Sequence, residues 1–330
     1  VRPRTSVALI LAAMMVLGAA VSGDAARERW PKSASIGTAP IGGTYYIWGG
    51  AFARIVQEKL GVPTTVEVTQ GPIPNIKLVD AGQQTFGIAT NGVVYDGFRG
   101  LGWSQGKKHE NVRVLLPMYS AHFHCVALAK LGIRSIRDLD GKPVGAGAKG
   151  GTPDIYFRRV IDILGIKPSR IVNLGFEDMN NQVKDGVIVG YCTNVGPPQA
   201  SIVELETTHE VVIFGIEPDD AKKVQAKFPY MLPGTLAART YKTQKEPIPT
   251  LVGFNLLVGH KDLPEDFVYE VIKAVYENQD RLVAAHPVGR ELPPERAAQS
   301  PAPLHLGAIR YFTEKGVKLP PEVYPPESKR

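Results

Sequence analysis

Gly37-Thr38-Ala39-Pro40-Ile41-Gly42-Gly43-Thr44 leads into an amphipathic run, and Gly145-Ala146-Gly147-Ala148-Lys149-Gly150-Gly151-Thr152 does the same in the second half of the chain. Gly37, Gly42, Gly43 and Thr44 fall in register with Gly145, Gly150, Gly151 and Thr152. A second pairing accompanies them: Thr90-Asn91 follows the apolar run Phe86–Ala89, and Thr193-Asn194 follows Val187–Cys192. Each half thus offers a glycine-rich helix entrance and a Thr-Asn at a strand end. Two similar lobes presenting such groups to one another make a cleft for a small polar ligand, which is a binding arrangement before it is a catalytic one.

Working outward, strands alternate with helices. Residues 33–38 read as a strand, and Trp48, Phe52, Ile55, Val56 and Leu60 keep helical spacing up to Gly61. Strands are expected at Thr64–Thr69, Phe86–Thr90 and Val112–Met118, a helix at Asn75–Ala81, and a crossing segment at His122–Ala129. Beyond it come a strand at Pro143–Gly147, a helix from Thr152 to Leu164, and strands at Ile171–Leu174, Val187–Cys192 and Val211–Phe214. A helix at Pro218–Phe228, a returning strand at Thr250–Val258 and a long helix at Pro264–Val283 precede a Pro-rich tail, read as loosely attached from Leu319. The alternation implies an α/β fold of two lobes, each a mostly parallel sheet flanked by helices, with ligand beyond the carboxyl ends of the strands.

The entrances carry the chemistry. Glycines let backbone approach a ligand, and the first amides of a helix are unpaired donors at the positive end of its dipole. A carboxylate is the natural guest, and Thr44 and Thr152 add hydroxyls; a plain tight turn with a capped helix is the structural alternative. Tyr45 offers a flat apolar body with a hydroxyl. Thr69-Gln70-Gly71 and Thr90-Asn91 end adjacent strands and supply further amide and hydroxyl groups.

Other chemistries fare worse. Gly145-x-Gly147-x-x-Gly150 matches a dinucleotide fingerprint, yet its counterpart lacks the middle glycine and no acidic residue ends the next strand at the required distance. His122 and His124 make an incomplete metal site. G-x-S-x-G, H-E-x-x-H and P-loop patterns are missing from the sequence, so neither an enzyme nor a cofactor is expected. The chain is 44% hydrophobic and 21% charged, with a formal net charge of +6 whose basic residues are scattered, so no nucleic-acid stripe is expected. Arg2 and Arg4 before the apolar run Val7–Ala20, followed by small residues, read as a signal peptide over 1–25 and imply export to the periplasm. Cys125 and Cys192 are either a disulfide, which export permits, or two buried thiols.

Ile36-Gly37-Thr38 through Gly42-Gly43-Thr44-Tyr45-Tyr46 resembles the opening signature of the TAXI-type extracytoplasmic solute receptors of TRAP transporters. The likeness continues at Gln70-Gly71 with Asn75, at Ser135–Gly141, at Gly150-Gly151-Thr152, at Leu263-Pro264-Glu265-Asp266, at Ala284-Ala285-His286-Pro287 and at Pro303–Ala308. It implies a type II-like periplasmic-binding-protein fold that closes around its solute and delivers it to a membrane permease. Glutamate, 2-oxoglutarate and related dicarboxylates are the solutes it suggests. Lobe I would comprise 33–121 plus 262–330, and lobe II 122–261. The ligand-binding set expected is Thr38, Gly43, Thr44, Tyr45, Gly71, Asn75, Thr90, Asn91, Tyr119, Gly151, Thr152 and Asn194. Thr90 stands where the family commonly has glutamine, and Pro72-Ile73-Pro74 replaces a more polar loop, so the solute does not carry over directly. A sensor for a signalling kinase and an ABC-type receptor share the fold, and an exported enzyme is the remotest alternative.

Overall fold

The first glycine-rich entrance joins a short strand to a long helix. In the computed structural model, which describes residues 27–329, β1 (Ala34–Gly37) ends where the loop begins and α1 (Thr44–Leu60) starts on its threonine. The signal-peptide segment lies outside the described residues. Trp48, Phe52, Ile55 and Val56 bury one face of α1, and Gly61 at φ 73° ends it in the left-handed conformation. β2 (Thr64–Glu67), α2 (Pro72–Asp80) and β3 (Phe86–Thr90) follow, with β2 and β3 parallel to β1 on either side. α3 (Asn91–Arg99) begins directly after β3, where no helix was expected from the sequence.

β4 (Val112–Leu128) is a single strand of 17 residues, not the two segments expected on either side of Tyr119. Pro117 and the polar Ser120 and His122 interrupt the apolar pattern, although the strand runs through. Pro117, which has no N–H, sits opposite Leu256 beside a register shift, where a missing donor is tolerated. The second half then repeats the first: β5 (Pro143–Gly145), α4 (Thr152–Leu164), β6 (Arg170–Val172), α5 (Phe176–Lys184) and β7 (Gly190–Val195), with β5 parallel to both β6 and β7. α6 (Ala200–Thr208), β8 (Val211–Phe214), α7 (Pro218–Lys227) and β9 (Leu232–Leu236) lead to β10 (Ile248–His260).

β10 runs antiparallel to both β3 and β4, so the sheet path is β2-β1-β3-β10-β4-β7-β5-β6, with β8 on β4 and β9 on β10. Parallel units therefore flank two long antiparallel strands that tie the halves together. One apolar core is built from residues between Ala34 and Tyr119 and between Phe254 and Val323. Two further clusters are built from residues between Phe123 and Leu251. Phe254–Val258, allotted to lobe II by the sequence, pack into the first core because β10 continues unbroken across the junction. We propose that the lobes divide between Tyr119 and Phe123 on β4 and between Leu251 and Phe254 on β10.

Two local expectations change, and one open alternative is resolved. The long helix is broken into α8 (Glu265–Glu277) and α9 (Gln279–Ala285) at Asn278, whose Nδ2 donates to Ala274 O at 2.8 Å and competes with the helical ladder. After α10 (Leu306–Glu314), the tail is not loose. Val323 is 2% exposed, its carbonyl accepts from Leu304 N at 2.8 Å, and Glu327 receives Nε and Nη2 of Arg113 at 2.7 and 2.9 Å. Cys125 and Cys192 face each other on β4 and β7 and are disulfide-bonded.

Candidate functional site

Four helices begin at one cavity. Gly43 and Thr44 start α1, Gly71 and Pro72 start α2, Gly151 and Thr152 start α4, and Gly175 and Phe176 start α5, and all line the same pocket. Each of the four N-caps is glycine, and none is capped by a side chain among the described residues. The first-turn amides present there, such as those of Thr44, Ile73, Thr152 and Phe176, therefore remain as donors at the positive ends of four dipoles. The other walls are Ala39, Pro40, Tyr45, Gln70, Ala148, Pro153, Leu174, Asn194 and Val195. Among the described residues no Lys, Arg, His, Asp or Glu lines the cavity, and Lys149 nearby is exposed.

The starts of α2 and α4 meet backbone to backbone. Gly71 has φ 117°, which demands glycine, and a Cβ built on it would lie 3.4 Å from Gly151 Cα. A Cβ on Gly151 would meet Ala148 O at 2.9 Å and Gln70 O at 3.1 Å. Side chains would hold these loops apart.

Hydroxyls clasp the halves together. Thr44 Oγ1 donates to Gly196 O at 2.9 Å. Thr90 Oγ1 and Thr152 Oγ1 are 2.8 Å apart, Thr90 Oγ1 lies 3.0 Å from Tyr45 Oη, and Tyr45 Oη donates to Asn255 Oδ1 at 2.7 Å. Asn255 Nδ2 donates to Tyr119 O, which fixes its amide orientation. With the Tyr45 proton spent on Asn255, Thr90 donates to Tyr45 and Thr152 donates to Thr90. The hydroxyl protons that the sequence reading assigned to a ligand are thus engaged across the junction. Burial pushes the Tyr45 phenol up to about 12, so it stays neutral beside any anion.

Of the residues singled out from sequence, Gly43, Thr44, Tyr45, Gly71, Gly151, Thr152 and Asn194 line the cavity. Thr38, Asn75, Thr90, Asn91 and Tyr119 stand behind it or beside it. Thr38 Oγ1 donates to Glu67 O at 2.8 Å. Asn75 Nδ2 donates to Thr38 O and Ile88 O at 2.9 and 2.8 Å, locking the loop after β1 to β3. Asn91 Nδ2 donates to Tyr230 O at 3.3 Å, and its Oδ1 accepts from Gly92 N at 2.9 Å. Tyr119 is fully buried, and its hydroxyl has no partner among the described residues. Sequence reasoning missed Leu174, Gly175, Phe176 and Val195. A signal existed in Gly175-Phe176 followed by Glu177 and Asp178, since glycine before an acidic first turn marks a helix start.

No cluster of three or more His, Cys, Asp or Glu suited to a metal occurs among the described residues. His124 Nδ1 donates to His122 O at 2.9 Å, so its Nε2 accepts from Tyr241 Oη at 2.7 Å.

The model of the NMT1-like family matches residues 36–316. The chain belongs to the NMT1-like family. This family corresponds to the TAXI-type solute-binding proteins of TRAP transporters, so the chain is an extracytoplasmic solute-binding protein of a transporter. Solved structures agree on the fold. The periplasmic binding protein BugD superposes with a TM-score of 0.55 at 12% identity, over 87% of this chain and 98% of that one. MatC from Rhodopseudomonas palustris with bound malate gives 0.53 at 13% identity, over 86% and 96%. An ABC uptake transporter substrate-binding protein from Streptococcus pneumoniae with bound histidine gives 0.50 at 14%, over 78% and 93%. This NMT1-like chain therefore has the α/β, two-lobed periplasmic-binding-protein fold, type II-like as the sequence implied. No described helix is long and apolar enough to cross a membrane.

Proposed function

We propose that this NMT1-like protein works in the periplasm, captures a small organic anion between its lobes and delivers it to the membrane subunit of a TRAP transporter. One observation carries the reading: the glycine-capped starts of α1, α2, α4 and α5 converge on a single cavity. Four dipole ends and their unpaired amides favour negative charge where no cationic side chain is present. The two lobes each contribute two of these helices, so a bound anion links them and favours closure by its differential affinity for the closed form. Binding, not turnover, is the task of such a site. The disulfide between Cys125 and Cys192 suits an oxidising compartment.

The dicarboxylates, glutamate and 2-oxoglutarate implied by the family resemblance are the first solutes to screen, alongside monocarboxylates and other keto acids. Thermal denaturation against that panel is the test. A solute at 100 times its Kd stabilises by about 2.7 kcal/mol, which raises the melting temperature by several degrees. A melting temperature unmoved by every organic anion contradicts the proposal.

A further inference from the structure

The charge inventory of the cavity bears on the class of solute, given the reading that this cavity is the solute site. Asn194 is 3% exposed and lines the cavity, and neither its Oδ1 nor its Nδ2 has a partner among the described residues. A guest satisfies this buried primary amide fully when it supplies both an acceptor and a donor. Its oxygen and nitrogen share one carbon, so the guest's acceptor and donor must sit on neighbouring atoms.

Two kinds of charge find no counterpart. An ammonium group would need a carboxylate, and no Asp or Glu lines the cavity. A second carboxylate would compete for the same few helix-start amides, and no described Lys or Arg lines the cavity to hold it. Backbone donors are thinned as well, because Pro72, Pro74 and Pro153 have no N–H in the first turns of α2 and α4. A charge beyond the single negative one that the helix starts offset is strongly disfavoured there. Pro40, Leu174, Phe176 and Val195 leave the remaining wall apolar, which suits a short carbon chain.

We propose that the pocket selects a small 2-hydroxy monocarboxylate. Its carboxylate takes the amides at the helix starts and Asn194 Nδ2, its hydroxyl donates to Asn194 Oδ1, and its hydrocarbon end rests on the apolar wall. The donor is a hydroxyl and not an ammonium because the site offers hydrogen bonding without a balancing negative charge.

Calorimetric titration of the full chain with 2-hydroxybutyrate, butyrate, 2-aminobutyrate and succinate, four solutes of one chain length, tests this. The expected order places 2-hydroxybutyrate several-fold tighter than butyrate and at least tenfold tighter than 2-aminobutyrate and succinate. Asn194→Asp sets a carboxylate against the solute and should weaken 2-hydroxybutyrate at least tenfold. Asn194→Ser, a milder change whose folding is checked by the melting temperature of the free protein, should abolish the preference for 2-hydroxybutyrate over butyrate. Succinate or 2-aminobutyrate binding as tightly as 2-hydroxybutyrate overturns the solute class and leaves the receptor reading standing. A preference that survives in Asn194→Ser also overturns it. Silence toward all four and toward every other organic anion overturns both.

Discussion

Two buried histidines make folding pH-dependent. His124 and His305 are held down to about 4 by burial, against an ordinary value of 6.5. His305 Nδ1 accepts from Gly307 N at the start of α10, a bond that protonation would destroy, as it would the Nε2 acceptor of His124. The unfolded chain therefore binds protons between pH 6.5 and 4 that the folded chain refuses. Stability is fully present above pH 6.5 and is lost as pH falls through that window. Each shift corresponds to roughly 3 kcal/mol when complete. Urea midpoints should stay flat from pH 8 to 7 and fall clearly between pH 6 and 4.5, and constant midpoints down to pH 4.5 would contradict the assignment. The roles of single residues were unevenly visible in the sequence. The backbone logic of Gly43, Gly71 and Gly151 was legible, because glycine before threonine or proline states a conformational need. The fate of the threonine hydroxyls was not, because Thr44 and Thr152 meet partners on Gly196 and Thr90 that only the folded chain brings near.

Between elements, α3 and α4 face each other across the junction through a charged pair. Arg159 Nη2 donates to Asp96 Oδ2, Tyr230 Oη donates to Asp96 Oδ1 at 3.3 Å, and the guanidinium lies 4.8 Å from the centre of the Phe228 ring. The Arg159 and Asp96 side chains are 12% and 6% exposed, so the pair is desolvated when the halves meet. Neither residue lines the cavity. If the pair holds the closed form, Arg159→Ala and Asp96→Ala should each weaken solute binding by about tenfold, or 1.4 kcal/mol, and the double variant should be little worse than either. Titration of the three variants decides it, and unchanged affinity would mean the pair has no part in closure. Most elements were readable from periodicity and glycine stops, as α1 and α4 show. Those that were misread had competing local signals: Pro117 disguised β4 as two pieces, Asn278 broke a continuous apolar face, and proline-rich composition hid the anchoring of the tail by Arg113 and Val323.

For the whole molecule, duplication explains the site. Each half sets a strand, a glycine turn and a helix in the same order, and β4 and β10 bring the two copies face to face. The pairing of entrances was legible because repeats show in a sequence. The crossing we propose on β10 was not, since a long strand that serves two cores carries no mark at the border. The central claim is that one carboxylate sits among the helix starts of both halves. A crystal structure with the tightest-binding carboxylate tests it most directly. The account predicts carboxylate oxygens about 2.7–3.2 Å from first-turn amides of α1 and α4 together. A carboxylate bound to one lobe alone, or anywhere outside the space between Gly43 and Gly151, would contradict it.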